Sequence, residues 1–139
     1  MGSHYDRQRA LADSQFGGGA TTWAPGTWYL GLSTTVANSD GTGFTEPVGG
    51  AYARLAVLNN STNFPAAQTI GGVTQKWNGI KLTFANPTGT WGLIGWYGWF
   101  TALSGGTPQY SNQMDSAITV RNGNTPVEFD INQLIMTWA

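Results

Sequence analysis

Chemistry in this chain would have to come from a handful of side chains. The one histidine, His4, stands in the terminal MGSHY with no acid spaced to orient it, so a Ser-His-Asp relay has no basis. Glu128 and Asp130 lie two residues apart. On a strand that spacing puts both carboxylates on one face, where they could act as an acid pair or hold a cation. An outward polar edge has the same spacing, and that is the reading adopted. Asn38-Ser39-Asp40-Gly41 resembles the opening of a calcium loop, but the later ligands of that pattern are missing and a hairpin turn explains it better. The pairs Gly49-Gly50, Gly71-Gly72 and Gly105-Gly106 are not followed by helix-forming sequence, so they offer no helix N-terminus to a phosphate and read as turns. No catalytic, cofactor-binding or metal-ligating residue is assigned. The expectation is a protein that is not an enzyme and carries no cofactor.

The elements that would position these residues are mostly strands. Tyr5 to Gln15 is the one helical candidate, with Leu11 and Ala12 able to face a partner together with Tyr5 or Phe16. Gly17-Gly18-Gly19 stops it and suits a hinge, so the expected organisation is a helical arm over residues 1–19 and a single β domain over 20–139. The arm could dock on a neighbouring subunit or on its own domain. Thr27 to Thr34 alternates, with Trp28, Leu30 and Leu32 on one side. Ala51 to Leu58 sets Leu55 and Val57 against Tyr52, Arg54 and Ala56. In GIKLTFA, Ile80, Leu82 and Phe84 point inward while Lys81 and Thr83 point out. Asn122-Gly123 predicts a hairpin joining Ala117–Val120 to Val127–Phe129, and Leu134 to Trp138 forms a last strand. Six or seven short strands without intervening helices predict an all-β antiparallel sandwich or barrel-like domain with a short N-terminal helix.

Composition narrows the function classes. Only 9% of the 139 residues are charged, and the six Lys and Arg are scattered, which argues against nucleic acid as a partner. Without cysteine there is no disulfide frame and no thiolate metal site. No apolar run approaches the roughly 20 residues of a membrane helix, and the N-terminus lacks the apolar core of a signal peptide, so neither membrane insertion nor secretion by that route is expected. Met1 to His4 reads as partly an expression remnant and carries no weight.

Aromatic residues dominate what is left. Trp91 to Phe100, WGLIGWYGWF, holds five aromatics and three glycines without a charge. Alternation sends Trp91 and Trp99 one way and Trp96 the other, so both faces of the strand need cover. Each large aromatic buries about 150–250 Å², and an uncovered patch of that size would promote aggregation. A second sheet of the same monomer would suffice as cover; so would another copy of the protein. A glycan-binding module is the alternative, because exposed tryptophan faces stack on sugar rings.

The ordered blocks ALADSQFGGG, WYLGLSTT, GGAYARLAVLNNSTNFPAA, GIKLTFANPTGTWGLIGWYGWFTALSGGTPQY and NGNTPVEFDINQLIMTW resemble the small tailed-bacteriophage virion proteins commonly labelled tail fibre protein, some of which are assigned to capsid decoration. The likeness runs from about Leu11 to Trp138, with the GxYAR block at Gly50–Arg54 among its best markers. It implies a non-enzymatic, β-sandwich-like virion structural protein (capsid decoration or cement, or tail fibre) present in many copies, assembled in the host cytoplasm. Its expected partners are its own copies, a trimer being preferred, the major capsid or tail protein of the same virion, and at a fibre tip a host surface glycan. Trp96 and Trp99 depart from the family pattern, in which a polar residue and a modest aliphatic are expected, and they look added for a contact special to this particle. The candidate interface is therefore Trp96, Tyr97, Trp99, Phe100 and Trp28, with Tyr5 and Leu11 from the arm.

Overall fold

The computed structural model describes residues 3–20 and 24–138, with side chains from residue 8 onward. Their contacts gather into two compact units. Unit 1 comprises Met1–Thr27, Val57–Lys81 and Asp130–Ala139; unit 2 comprises Trp28–Ala56 and Leu82–Phe129. Strands dominate, in antiparallel pairs, with one N-terminal helix, as the alternation predicts.

Unit 1 is built on helix α1 (Ser3–Gln15) and three strands, β3 (Gln68–Ile70), β4 (Val73–Trp77) and β9 (Ile135–Trp138), hydrogen-bonded in the order β3-β4-β9. The β3–β4 hairpin turns at Gly71-Gly72, both at positive φ. Polar QTI and VTQKW hide these two strands from an apolar alternation count. The sequence suggested an arm over residues 1–19; in the structure α1 packs on β4 and β3 within unit 1. Ala12 and Phe16 are its buried apolar residues, and Phe16 meets Phe64 at 5.2 Å and Trp138 at 6.2 Å between ring centroids. Polar contacts hold the rest: Arg9 Nη1 donates to Thr69 Oγ1 (2.7 Å), Thr74 Oγ1 donates to Gln8 Oε1 (3.0 Å), and Asp13 accepts from the Ala67 amide (2.7 Å). The helix ends where Gly17 enters φ 105°, a conformation in which a Cβ would also lie 2.5 Å from the Phe64 carbonyl oxygen.

Unit 2 centres on β1 (Thr27–Ser33), β6 (Gly92–Phe100) and β7 (Tyr110–Val120), part of a four-stranded sheet in the order β2-β1-β6-β7, where β2 is Leu55–Leu58. A small pair, β5 (Leu82–Thr83) with β8 (Glu128–Phe129), completes it. Trp28, Leu30, Leu32, Ile94, Tyr97 and Trp99 form the inner face, each 0–1% exposed. Leu30 stands opposite Trp99 and Leu32 opposite Tyr97. Removing each such side chain from water contributes roughly 1.5–3 kcal/mol.

Three strand expectations need correction. AYARLAVL forms a strand only from Leu55, after a turn in which Ala51 sits at φ 65°, and Arg54, set opposite Leu55 and Val57 by alternation, is buried. GIKLTFA keeps its inward Leu82 and Phe84 but pairs regularly only over Leu82–Thr83. A turn does form at Asn122-Gly123, closed by the Asn124 amide on the Arg121 carbonyl (3.1 Å), yet β7 pairs with β6 and β8 with β5. That turn links two sheets.

Candidate functional site

Around Gly98 and Phe100, the outer face of the aromatic strand β6 is covered by loops of unit 2. Gly31 of β1 and Gly98 of β6 form a cross-strand pair on the outer face. A Cβ on Gly98 would lie 2.9 Å from Pro108 Cβ and 3.1 Å from the Phe44 ring; one on Gly31 would lie 2.7 Å from Phe100 Cε1 and 2.8 Å from Glu46 Oε1. The two glycines open a flat patch onto which the loop over residues 34–54 and the loop over 101–109 close. Phe44 meets Phe100 edge-on at 5.4 Å. At the far end of β6 the strand widens, since Met114 to Ala117 of β7 stand opposite Gly95 alone, between the pairs Trp96–Gln113 and Ile94–Ile118.

Arg54 clamps the two covering loops together. Its guanidinium grips Glu46 with two bonds, Nε to Oε1 (2.9 Å) and Nη2 to Oε2 (2.8 Å). Nη1 donates to the carbonyls of Ala102 (2.8 Å) and Gly105 (2.9 Å), and the charged carbon lies 3.4 Å above the Phe100 ring centroid. Tyr52 completes the set, donating to Glu46 Oε1 (2.7 Å) and accepting from the Leu32 amide (3.0 Å). Burial, reinforced by the hydrogen bond to Glu46, pushes the Tyr52 hydroxyl well above its ordinary pKa, so it stays protonated in this contact. Tyr52 also stands edge-on to Trp91 at 5.2 Å, and Trp91 Nε1 donates to the Gly50 carbonyl (2.8 Å). The GxYAR block thus gathers aromatic and ionic contacts within five residues.

Above the clamp lies an open cleft of about 410 Å³, lined by Glu46, Val48, Tyr52, Arg54 and Leu103 among others. Val48 is 94% exposed and Leu103 59%. Leu103 sits between the two carbonyls that Arg54 holds, so this apolar side chain is fixed outward rather than carried on a loose loop.

The predicted interface residues fall into different environments. Trp28, Tyr97, Trp99 and Phe100 are 0–2% exposed within the chain, which leaves them no surface to offer a partner. Trp96 is partly exposed, and Leu11 is 49% exposed on α1. The side chains of Tyr5 and His4 lie outside the described residues. Glu128 points outward on β8 and is exposed. Asp130 is exposed as well, 4.0 Å from Lys81, while its main chain is held by Asn78 and Gln133. Asp40 closes a turn by accepting from the Thr42 hydroxyl (2.6 Å) and amide (3.0 Å), which holds its carboxyl below the usual range. Among the described residues no three His, Cys, Asp or Glu side chains gather as a metal site would require. Arg54, Lys76 and Asp13, which do most of the polar work, were not singled out by sequence. The GxYAR block stood out only as a marker of the family resemblance, and because Tyr52 and Arg54 precede β2, strand alternation does not account for their contacts.

These features define an all-β structural module whose polar constellations brace loops against strands. The chain belongs to the phage fibre family described as Podophage GP4 fiber I protein gp80, whose model matches residues 3–137. It is therefore a virion-associated bacteriophage protein of a structural kind. Comparison with curated proteins gives no match.

Proposed function

We propose that the chain is a fibre subunit that works by geometry, docking onto copies of itself, as a trimer, and onto the capsid or tail protein that anchors it, with assembly in the host cytoplasm. The supporting observation is the rigid presentation of Leu103. A guanidinium holds the carbonyls on both sides of an exposed leucine, next to Val48 at the rim of the same cleft. Apolar side chains fixed in water cost solubility, and they are the kind of anchor that fills a partner's pocket. Few charges need desolvation on such a surface, so the contact would persist across salt conditions. Trp96 and Leu11, the two expected interface residues with described surface, are further contact points.

Light scattering after size exclusion tests this. Wild type should elute as a trimer, and Val48→Ser with Leu103→Ser should shift it to monomer while leaving the circular dichroism spectrum unchanged. A wild-type monomer, or a double variant with wild-type mass, would refute the reading. Fibre placement, as opposed to decoration of the shell, is tested by labelling the polypeptide on intact particles.

A further inference from the structure

We propose that Asn122 is a self-modifying site, at which the folded chain converts its own asparagine to isoaspartate and aspartate with water as the only co-reactant. The chain holds two Asn-Gly pairs, Asn122-Gly123 and Asn78-Gly79, and the fold treats them in opposite ways. A glycine after asparagine leaves the main-chain nitrogen unshielded by a Cβ, so that nitrogen can reach the preceding carboxamide carbon. Asn122 and Gly123 are exposed in the segment between β7 and β8, with Gly123 at φ 81° and nothing within 4 Å of where its Cβ would stand. The residues on either side close the turn: the Asn124 amide donates to the Arg121 carbonyl (3.1 Å) and the Arg121 amide to Asn124 Oδ1. The Asn122 carboxamide takes no part and makes no hydrogen bond among the described residues. It can swing onto the Gly123 nitrogen, whose N–H is held by one long bond, to the Pro87 carbonyl (3.2 Å).

Asn78 has the same following residue and none of this freedom. It is fully buried; Nδ2 donates to the carbonyls of Ile80 and Asp130 (2.8 Å each), Oδ1 accepts from the Leu134 amide (2.9 Å), and the Gly79 amide donates to the Asn63 carbonyl (2.7 Å). Turning that carboxamide would strand buried polar groups away from water. At Asn122 the Gly123 nitrogen loses its proton to hydroxide and bonds to Asn122 Cγ; the Cγ–Nδ2 bond breaks, and the amide group takes a proton from water and leaves as ammonia. The resulting five-membered imide takes up one water. Cleavage of the nitrogen from Cγ gives aspartate; cleavage from the main-chain carbonyl carbon gives isoaspartate, and the chain then runs through the former side chain. No electrons are exchanged. Each conversion takes the formal net charge of −1 one unit lower, and isoaspartate adds one methylene to the main chain. Because β7 pairs with β6 and β8 with β5, the longer turn disturbs no ladder and the protein stays folded.

This site is independent of the self-association proposed above. The full chain is held in warm alkaline buffer, with a parallel sample in urea, and both are followed over time by anion exchange and by peptide mapping after labelling with a protein-isoaspartate methyltransferase. Expected is a growing acidic species, with label in the peptide that spans Asn122 in both samples and at Asn78 only in urea. The rate should rise with pH, because hydroxide removes the proton of the attacking nitrogen. Asn122→Gln should abolish the acidic species of the folded protein and keep the wild-type melting curve, since the side chain it replaces makes no hydrogen bond. An Asn122 that stays intact in the folded protein, whatever it does in urea, would overturn the proposal. So would labelling of Asn78 in the folded chain as fast as Asn122, or an undiminished acidic species from Asn122→Gln.

Discussion

Gly31 and Gly98 show how a single missing methyl decides whether two loops can seal a sheet. Added bulk at either position enters occupied space: 2.7 Å from the Phe100 ring in one case and 2.9 Å from Pro108 in the other. Those neighbours are not free ends of flexible chains, because Phe100 lies under Arg54 and Pro108 closes the 101–109 loop. Gly95 belongs to the same strand, yet a Cβ there would meet nothing nearer than Ala117 Cβ at 3.9 Å. Gly31→Ala and Gly98→Ala should each cost about 1–3 kcal/mol by overpacking, whereas Gly95→Ala should stay within about 0.5 kcal/mol of wild type. Urea unfolding curves on the three variants check this, and equal losses at all three would show that strand entropy, not the loop contact, sets the requirement. The same contrast shows what a sequence can carry. Glycines among aromatics announce close approach, but which glycine is needed depends on the loops that arrive.

At the scale of elements, α1 illustrates a helix held by its neighbours. It has no basic residue in its last turn, where a cation would offset the helix dipole, and it carries Asp13 there instead. Lys76 of β4 supplies that cation from outside. Burial depresses the Lys76 pKa below 10.5, and the bond to Asp13 only partly restores it. The unfolded chain therefore binds the proton more tightly, so this group's contribution to stability rises with pH from the lowered folded value up to 10.5. Tyr52 and Tyr97 act in the opposite sense: burial raises both, and the stability they contribute is present below 10.0 and lost above it. Unfolding free energy measured against pH should thus climb through the Lys76 titration below 10.5 and fall through the tyrosine titrations above 10.0, and Lys76→Met should remove the climb but not the fall. A variant with the wild-type rise would mean that Lys76 is not its source. Little of this was legible beforehand. Alternation located β1, the inner face of β6 and the last strand because apolar residues face one way there. It missed β3 and β4, whose partners are a helix and a polar turn, and it saw only Ala117–Val120 of β7, because Tyr110–Gln113 is polar on both faces.

For the whole molecule, the order of segments matters more than any one contact. Unit 1 draws on three stretches of chain and unit 2 on two, so neither is a continuous piece. The last stretch, from Asn122 on, supplies both: β8 completes the small pair with β5, and β9 edges the sheet of β4. Val127, Phe129, Leu134 and Met136 from this stretch are 0–3% exposed. At roughly 1.5–3 kcal/mol each, their removal would cost about 6–12 kcal/mol, comparable with the 5–15 kcal/mol of a typical domain. The loss cannot be confined to one unit, since two of the four lie in each. A chain ending at Arg121 should therefore fail to fold, although everything N-terminal to the exposed 121–124 turn is present. Fragments 1–121 and 122–139 co-expressed, with a tag on the shorter, should purify together and restore the near-ultraviolet dichroism of the intact protein, because the turn joining them holds only its own short hydrogen bonds and one to Pro87. If fragment 1–121 alone gave the native spectrum and a cooperative melt, the two units would be self-sufficient without their shared terminal strands, and the interleaving of segments would be a matter of chain path and not of stability.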